Sequence, residues 1–154
     1  IKTLSKNNTL LIMNEASAKK LGNPKAKIMK NGDKIKASDL ISIEAVPAYN
    51  TTPGREQFHP PHRDNGYVLT IDGLRIYIAG DTEDIPEMKN LKDIDIAFLP
   101  VNQPYTMTVT QAVNAAKMFS PKILYPYHFG NTNVKQLKEA LKNSGIEVRL
   151  RKME

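Results

Sequence analysis

The chain has no cysteine. Disulfides are therefore excluded, and so is any metal site built on thiolates. Nitrogen ligands are scarce as well, because His59, His62 and His128 are the only histidines in 154 residues. No apolar run approaches the ~20 residues needed to span a bilayer, and no signal peptide is visible, so a cytoplasmic protein with no membrane partner is expected. There is no internal repeat, no low-complexity segment and no linker that would divide the chain. One domain over residues 1–154 is expected, since that length is enough for a single core. The net charge of +6 comes largely from scattered lysines. No arginine-aromatic stripe accompanies them, which favours a solvated surface over a nucleic-acid partner.

What the chain does contain is a set of strands ending in polar loops. Tyr67, Leu69 and Ile71 alternate, Asp72-Gly73 follows, and Leu74, Ile76 and Ile78 resume the alternation. This predicts a hairpin, because Asp-Gly tolerates the positive φ of a two-residue turn. Gly80 then lets the backbone turn sharply and leaves Asp81-Thr82 at a strand end. Taken alone, Asp81 is either a cap for the next turn or part of a site.

Earlier in the chain, residues 1–6 read as the last turn of a helix and 9–13 as a buried strand. A helix capped by Asn14 is ended by Gly22 and Pro24. Short strands are expected over 26–29 and 34–36 and a longer one over 40–46. The segment from Ala48 to Gly66 is a long polar loop holding His59 and His62, and loops of this length inside a compact domain are commonly functional. Downstream, residues 83–90 predict a short helix with Pro86 in its first turn, and 94–99 a strand buried on both faces. Thr108 and Gln111 form a capping box for a helix with Val109, Ala112, Val113, Ala116 and Phe119 on one stripe. A strand over 122–126 delivers Tyr127-His128, a helix capped by Asn133 follows, and 146–150 form a last strand. The second half thus alternates strand and helix, which predicts a mixed sheet with helices on its outer face. If neighbouring strands end on one side, His59, Asp81 and His128 converge. Two imidazoles and a carboxylate suit a divalent ion such as zinc when thiolates are absent.

The runs Asn65–Ile71, Arg75–Glu83 with its Gly80-Asp81-Thr82, Ile94–Pro100, Pro104–Met107 and Tyr125–His128 occur in the order of a known family. The chain resembles the metallo-β-lactamase-fold hydrolases, in the branch related to the ascorbate-phosphate lactonase group. The resemblance implies an α/β fold, an αββα sandwich incomplete at its N-terminus. It implies one or two zinc ions, sometimes manganese, with Asp81 bridging them, His128 as the last ligand and His59 as the third; His62 is the alternative to His59. Asn50 stands where some relatives carry a histidine. The implied activity is hydrolysis of a small-molecule ester, lactone, amide or phosphoester by metal-bound hydroxide, with Asp81 and His128 catalytic and Tyr105 or Tyr127 orienting the substrate. The family's His-x-His-x-Asp-His motif does not occur in this sequence. The chain is thus expected to be the C-terminal portion of such a protein, inactive alone, its remaining ligands supplied by an N-terminal segment or another chain. A homo-oligomer is also open. The alternative is a non-catalytic fragment or a binding module of the same fold.

Overall fold

A computed structural model describes residues 3–22 and 25–153. Its frame is a seven-stranded mixed sheet in which the strands lie in chain order: β3 (Lys34–Lys36), β4 (Ile41–Ala48), β5 (Asp64–Ile71), β6 (Leu74–Ile78), β7 (Ile96–Pro100), β8 (Ile123–Tyr127) and β9 (Glu147–Val148). The pairings from β3 to β6 are antiparallel and those from β6 to β9 are parallel. The change of direction follows from the connections. Antiparallel neighbours can be joined by a tight turn, as at Asp72-Gly73, or by a loop such as that between β4 and β5, whereas a parallel return needs a crossover that can carry a helix. The Asp72-Gly73 turn forms as the dipeptide predicts, with φ of 49° and 83°. A separate parallel pair joins β1 (Ile12–Met13) to β2 (Lys27–Ile28).

Cross-strand register sorts the side chains into two rows. Val68, Tyr77, Ala97, Leu124 and Val148 are successive partners across β5 to β9, and all are buried. Over this face lie α2 (Val109–Phe119), α3 (Lys135–Ala140) and a 3₁₀ turn (Pro86–Asn90). They contribute Ala112, Ala115, Ala116, Phe119, Leu137 and Met88 to the same core. The opposite row, Ile43, Leu69, Ile76, Ile96 and Ile123, is only half-buried. The predicted mixed sheet with helices on its outer face is therefore observed.

The helix ends follow their capping chemistry. Thr108 accepts from the Gln111 N–H while the Gln111 side chain accepts from the Thr108 N–H, which satisfies two orphan donors reciprocally. Helix α1 (Glu15–Leu21) is capped by Asn14 and closed by Gly22 at φ 63°.

Several expected elements are shorter than the sequence suggests. Residues 3–11 hold turns and irregular backbone, not the end of a helix, and Ile1, Lys2 and Pro24 lie outside the described residues. Asn133 does not cap α3 in the usual way. The N-cap position is Val134, and Asn133 Oδ1 accepts from the Lys135 N–H at 3.3 Å. The helix expected over 83–90 contracts to the 3₁₀ turn because Pro86 disfavours helical backbone at the residue before it, and Ile85 is extended with ψ 148°. The last strand keeps only Glu147 and Val148. Strand β5 begins earlier than expected, at Asp64, which pairs with Ala48. Among the described residues no helix is long and apolar enough to cross a membrane.

Candidate metal centre

The loops after β4, β6, β7 and β8 meet at one end of the sheet. Two glycines let the first two meet closely. A Cβ at Gly66 would lie 2.6 Å from the Ala79 carbonyl oxygen, and one at Gly80 2.7 Å from that of Asn65. Gly80 also has φ 71°, a conformation that costs other residues energy. The start of β5 is thereby pressed against Gly80-Asp81. The Tyr127 hydroxyl donates to the Gly80 carbonyl at 2.7 Å and braces the same turn from β8. Burial and then the charge of Asp81 push the Tyr127 phenol well above its ordinary range, so it stays protonated as a donor.

Asp81 sits between two imidazoles. Its Oδ1 is 3.0 Å from His128 Nδ1, and its Oδ2 is 3.7 Å from His59 Nε2. His128 has φ 47°, and its backbone N–H is held by the Met153 carbonyl at 2.7 Å. The other nitrogen of His59, Nδ1, stands 3.1 Å from Asp64 Oδ2. Asp64 also receives the Arg63 guanidinium and the Asn14 amide. Burial would raise the Asp64 carboxyl, but the hydrogen bonds from His59 and Arg63 outweigh it and hold the value at about 2.

The expected convergence of His59, Asp81 and His128 is thus observed. His62 is not brought in, because it lies on an exposed turn at φ 66°. An open cleft of about 340 Å³ is lined by Phe58, His59, Asp81, Asn102, Tyr105 and His128. Tyr105 is on its rim, ring to ring with Phe58 at 5.0 Å. The Tyr127 hydroxyl is committed to Gly80, beneath the cleft rather than in it. A second cavity of about 210 Å³ lies under the 3₁₀ turn, lined in part by Glu44, Arg75 and Glu87, and holds no imidazole.

The roles of three contributors are not legible in the sequence, where Asn50 is marked only as standing in place of a histidine. Asn50 is buried at 1% exposure. Its Nδ2 donates to the carbonyls of Arg55 and Tyr105, and its N–H to the carbonyl of His59. It therefore ties the His59 loop to the Tyr105 loop, while its own Oδ1 has no partner. Glu83 is fully buried, and it accepts from the Thr51 and Thr52 N–H groups and from Arg55. Asp64 is the third. Its signal was an acid just after the His59 turn, and that signal has meaning only once β5 is known to begin there.

The donor set suits a cation. With Asp64 accepting a hydrogen bond from the Nδ1–H of a neutral His59, the Nε2 lone pair faces a carboxylate oxygen, and a positive ion or a proton between them relieves that contact. Among the described residues, no group of three or more His, Asp and Glu side chains is arranged to hold a metal ion unaided.

A family model described as the Beta-lactamase superfamily domain matches residues 5–128. A metal-dependent hydrolase from Ligilactobacillus salivarius is 39% identical over 94 residues, which make up 59% of this chain and 41% of that protein. One from Archaeoglobus fulgidus is 28% identical over 119 residues, 70% of this chain and 52% of the relative. The chain thus spans about half the length of these curated relatives or less. Among solved structures, one from Parabacteroides distasonis, assigned as a metal-dependent hydrolase, superposes with a TM-score of 0.96 at 67% identity. It covers 100% of this chain, which spans 69% of that one. A metallo hydrolase from Ignicoccus hospitalis shares the fold, with a TM-score of 0.75 at 22% identity over 93% of this chain and 65% of its own.

Proposed function

This chain belongs to the beta-lactamase superfamily, and from that premise we propose that it carries part of the centre of a metal-dependent hydrolase. The observation that carries this reading is Asp81, which has an imidazole facing each of its two oxygens at the end of a rigid sheet. His59, Asp81 and His128 hold a divalent ion, zinc in first place and manganese in second. The ion takes further ligands from residues other than these three, on the same polypeptide or on a partner chain. When bound, such an ion supplies a Lewis acid and lowers the pKa of water toward neutrality.

The chain's own residues then position what reacts. Tyr105 orients a small-molecule ester, lactone, amide or phosphoester at the rim, against the apolar ring of Phe58. Tyr127 acts from below, through Gly80, on the direction in which Asp81 points. Asn50 keeps the two walls of the cleft at a fixed spacing. A second reading, a binding module without turnover, draws on the lack of a self-sufficient ligand group among the described residues.

The test is metal content. The wild-type protein and Asp81→Ala are loaded with zinc, passed through a desalting column and analysed for metal, with circular dichroism as the fold control. A folded Asp81→Ala that loses bound zinc supports the centre. Equal retention in both proteins removes Asp81 from it. Wild-type protein that retains zinc yet hydrolyses none of the four ester and amide classes favours the binding module.

A further inference from the structure

Behind His59 stands a carboxylate to which the hydrolytic reading gives no role. Asp64 opens β5 opposite Ala48 and is mostly shielded from solvent. Its Oδ2 is 3.1 Å from His59 Nδ1 and 2.7 Å from a guanidinium nitrogen of Arg63. Its Oδ1 accepts from Asn14 Nδ2 at 3.0 Å. With a guanidinium and an amide donor on it, Asp64 is an ionised carboxylate and can only accept. The His59 nitrogen that faces it must then carry the ring proton. In a neutral imidazole this leaves the lone pair on Nε2, the atom that faces Asp81.

The orientation of the Asn14 amide is itself fixed. Its Oδ1 accepts from the Ser17 N–H at 2.8 Å as the N-cap of α1, so its Nδ2 faces the opposite way, toward Asp64 and the Arg63 carbonyl. A helix cap, a carboxylate and a ring thus form one chain of hydrogen bonds that ends at the candidate centre. Arg63 closes the chain from the other side, since its guanidinium also donates to the Phe58 carbonyl next to His59.

We propose that Asp64, held by Asn14 and Arg63, is the positioning residue that fixes His59 as its Nδ1–H tautomer and aims the Nε2 lone pair at Asp81. Its consequence for metal affinity rests on the reading of His59 and Asp81 as ligands; the tautomer itself does not. A ligating imidazole whose other nitrogen donates to a carboxylate is both oriented and made more basic, and losing such a partner commonly costs 10–100-fold in affinity.

Two readouts separate the parts. Ring ¹⁵N chemical shifts of His59, measured above the imidazole titration range, report the tautomer with no metal present. Zinc affinity is measured by competition with a chelator. In the wild type, Nδ1 is expected to be protonated. In Asp64→Ala, the population moves to Nε2–H and zinc affinity falls roughly 10–100-fold. Asn14→Ser keeps an N-cap oxygen for α1 and removes the amide that donates to Asp64 and to the Arg63 carbonyl; it shifts the tautomer the same way by a smaller amount. If His59 keeps Nδ1–H in folded Asp64→Ala, the proposal is overturned. If that variant does not fold, an unchanged tautomer in Asn14→Ser overturns it instead. If the tautomer moves as expected while no form of the protein retains zinc, the positioning role stands and the metal reading falls.

Discussion

Asp81 and Glu83 are two acids two residues apart on the same turn, and they are put to opposite uses. Glu83 is fully buried, and its carboxylate is filled by the N–H groups of Thr51 and Thr52, the Thr51 hydroxyl and Arg55. Asp81 has a side chain 36% exposed, and it faces the ring nitrogens of His59 and His128. Thr82 between them is buried as well, with its hydroxyl bonded to the Tyr49 backbone, so of the three only Asp81 faces outward. Glu83 holds the long loop against the sheet end, and Asp81 is what that loop surrounds. A carboxylate saturated with fixed donors builds structure, whereas one left between titratable rings at the surface keeps the capacity to bind.

This contrast can be broken most forcefully at Glu83. Glu83→Ala removes the buried acceptor of two N–H donors and of the partly exposed Arg55 guanidinium. Each unpaired group costs about 1–3 kcal/mol, so a loss on the order of 3 kcal/mol or more is expected in urea unfolding. The pH dependence follows from the sign of the shift. Burial would raise the Glu83 carboxyl, but the Thr51 and Thr52 donors outweigh it and hold the folded value below the ordinary 4.5. The contribution of its charge is therefore full above the ordinary value and lost as pH falls through the lower, folded one. The stability gap between wild type and Glu83→Gln is expected to narrow over that acid interval. A gap independent of pH would mean that the ionised form of Glu83 is not what holds the loop.

Most of the sheet could be read from the sequence, because period-2 alternation and the Asp72-Gly73 turn are local signals. The Thr108 capping box and the Asn14 cap were legible for the same reason. His59, Asp81 and His128 could be picked out by residue type and strand-end position. The family resemblance favours His59 over His62, whereas residue type and position alone do not separate the two, since that choice rests on the path of a loop fixed by contacts with Glu83 and Asn50. The sequence also failed to tell Asp81 from Glu83 by role. Both are acids after a strand, and only the fold shows which one meets the backbone of residues 51 and 52. Asp64 was hidden for a related reason. It was placed in a loop, and it becomes a partner of His59 only because β5 begins at that residue.

A milder probe lies on the far side of the turn. Tyr127→Phe removes the hydroxyl that donates to the Gly80 carbonyl and leaves the ring in place. One such hydrogen bond contributes about 1 kcal/mol, so a loss of that size is expected by thermal or urea unfolding, without loss of fold. A larger loss would mean that the brace also carries the loop that Glu83 secures, and the two acids would then share one support.

The smallest effect is expected at Asp81 itself, and it is the one that sharpens the comparison most. Asp81→Asn preserves shape and removes a charge from a partly exposed position whose imidazole partners can turn to water. Surface changes of this kind usually stay within about 0.5 kcal/mol. A near-zero change in urea midpoint, set beside the large cost at Glu83, would separate binding from building within three residues of chain. If Asp81→Asn instead destabilised as strongly as the Glu83 variants, the His59 and His128 contacts would be structural ion pairs. Asp81 would then hold the loops together in the same sense as its neighbour, and its place between two imidazoles would no longer point to a ligand.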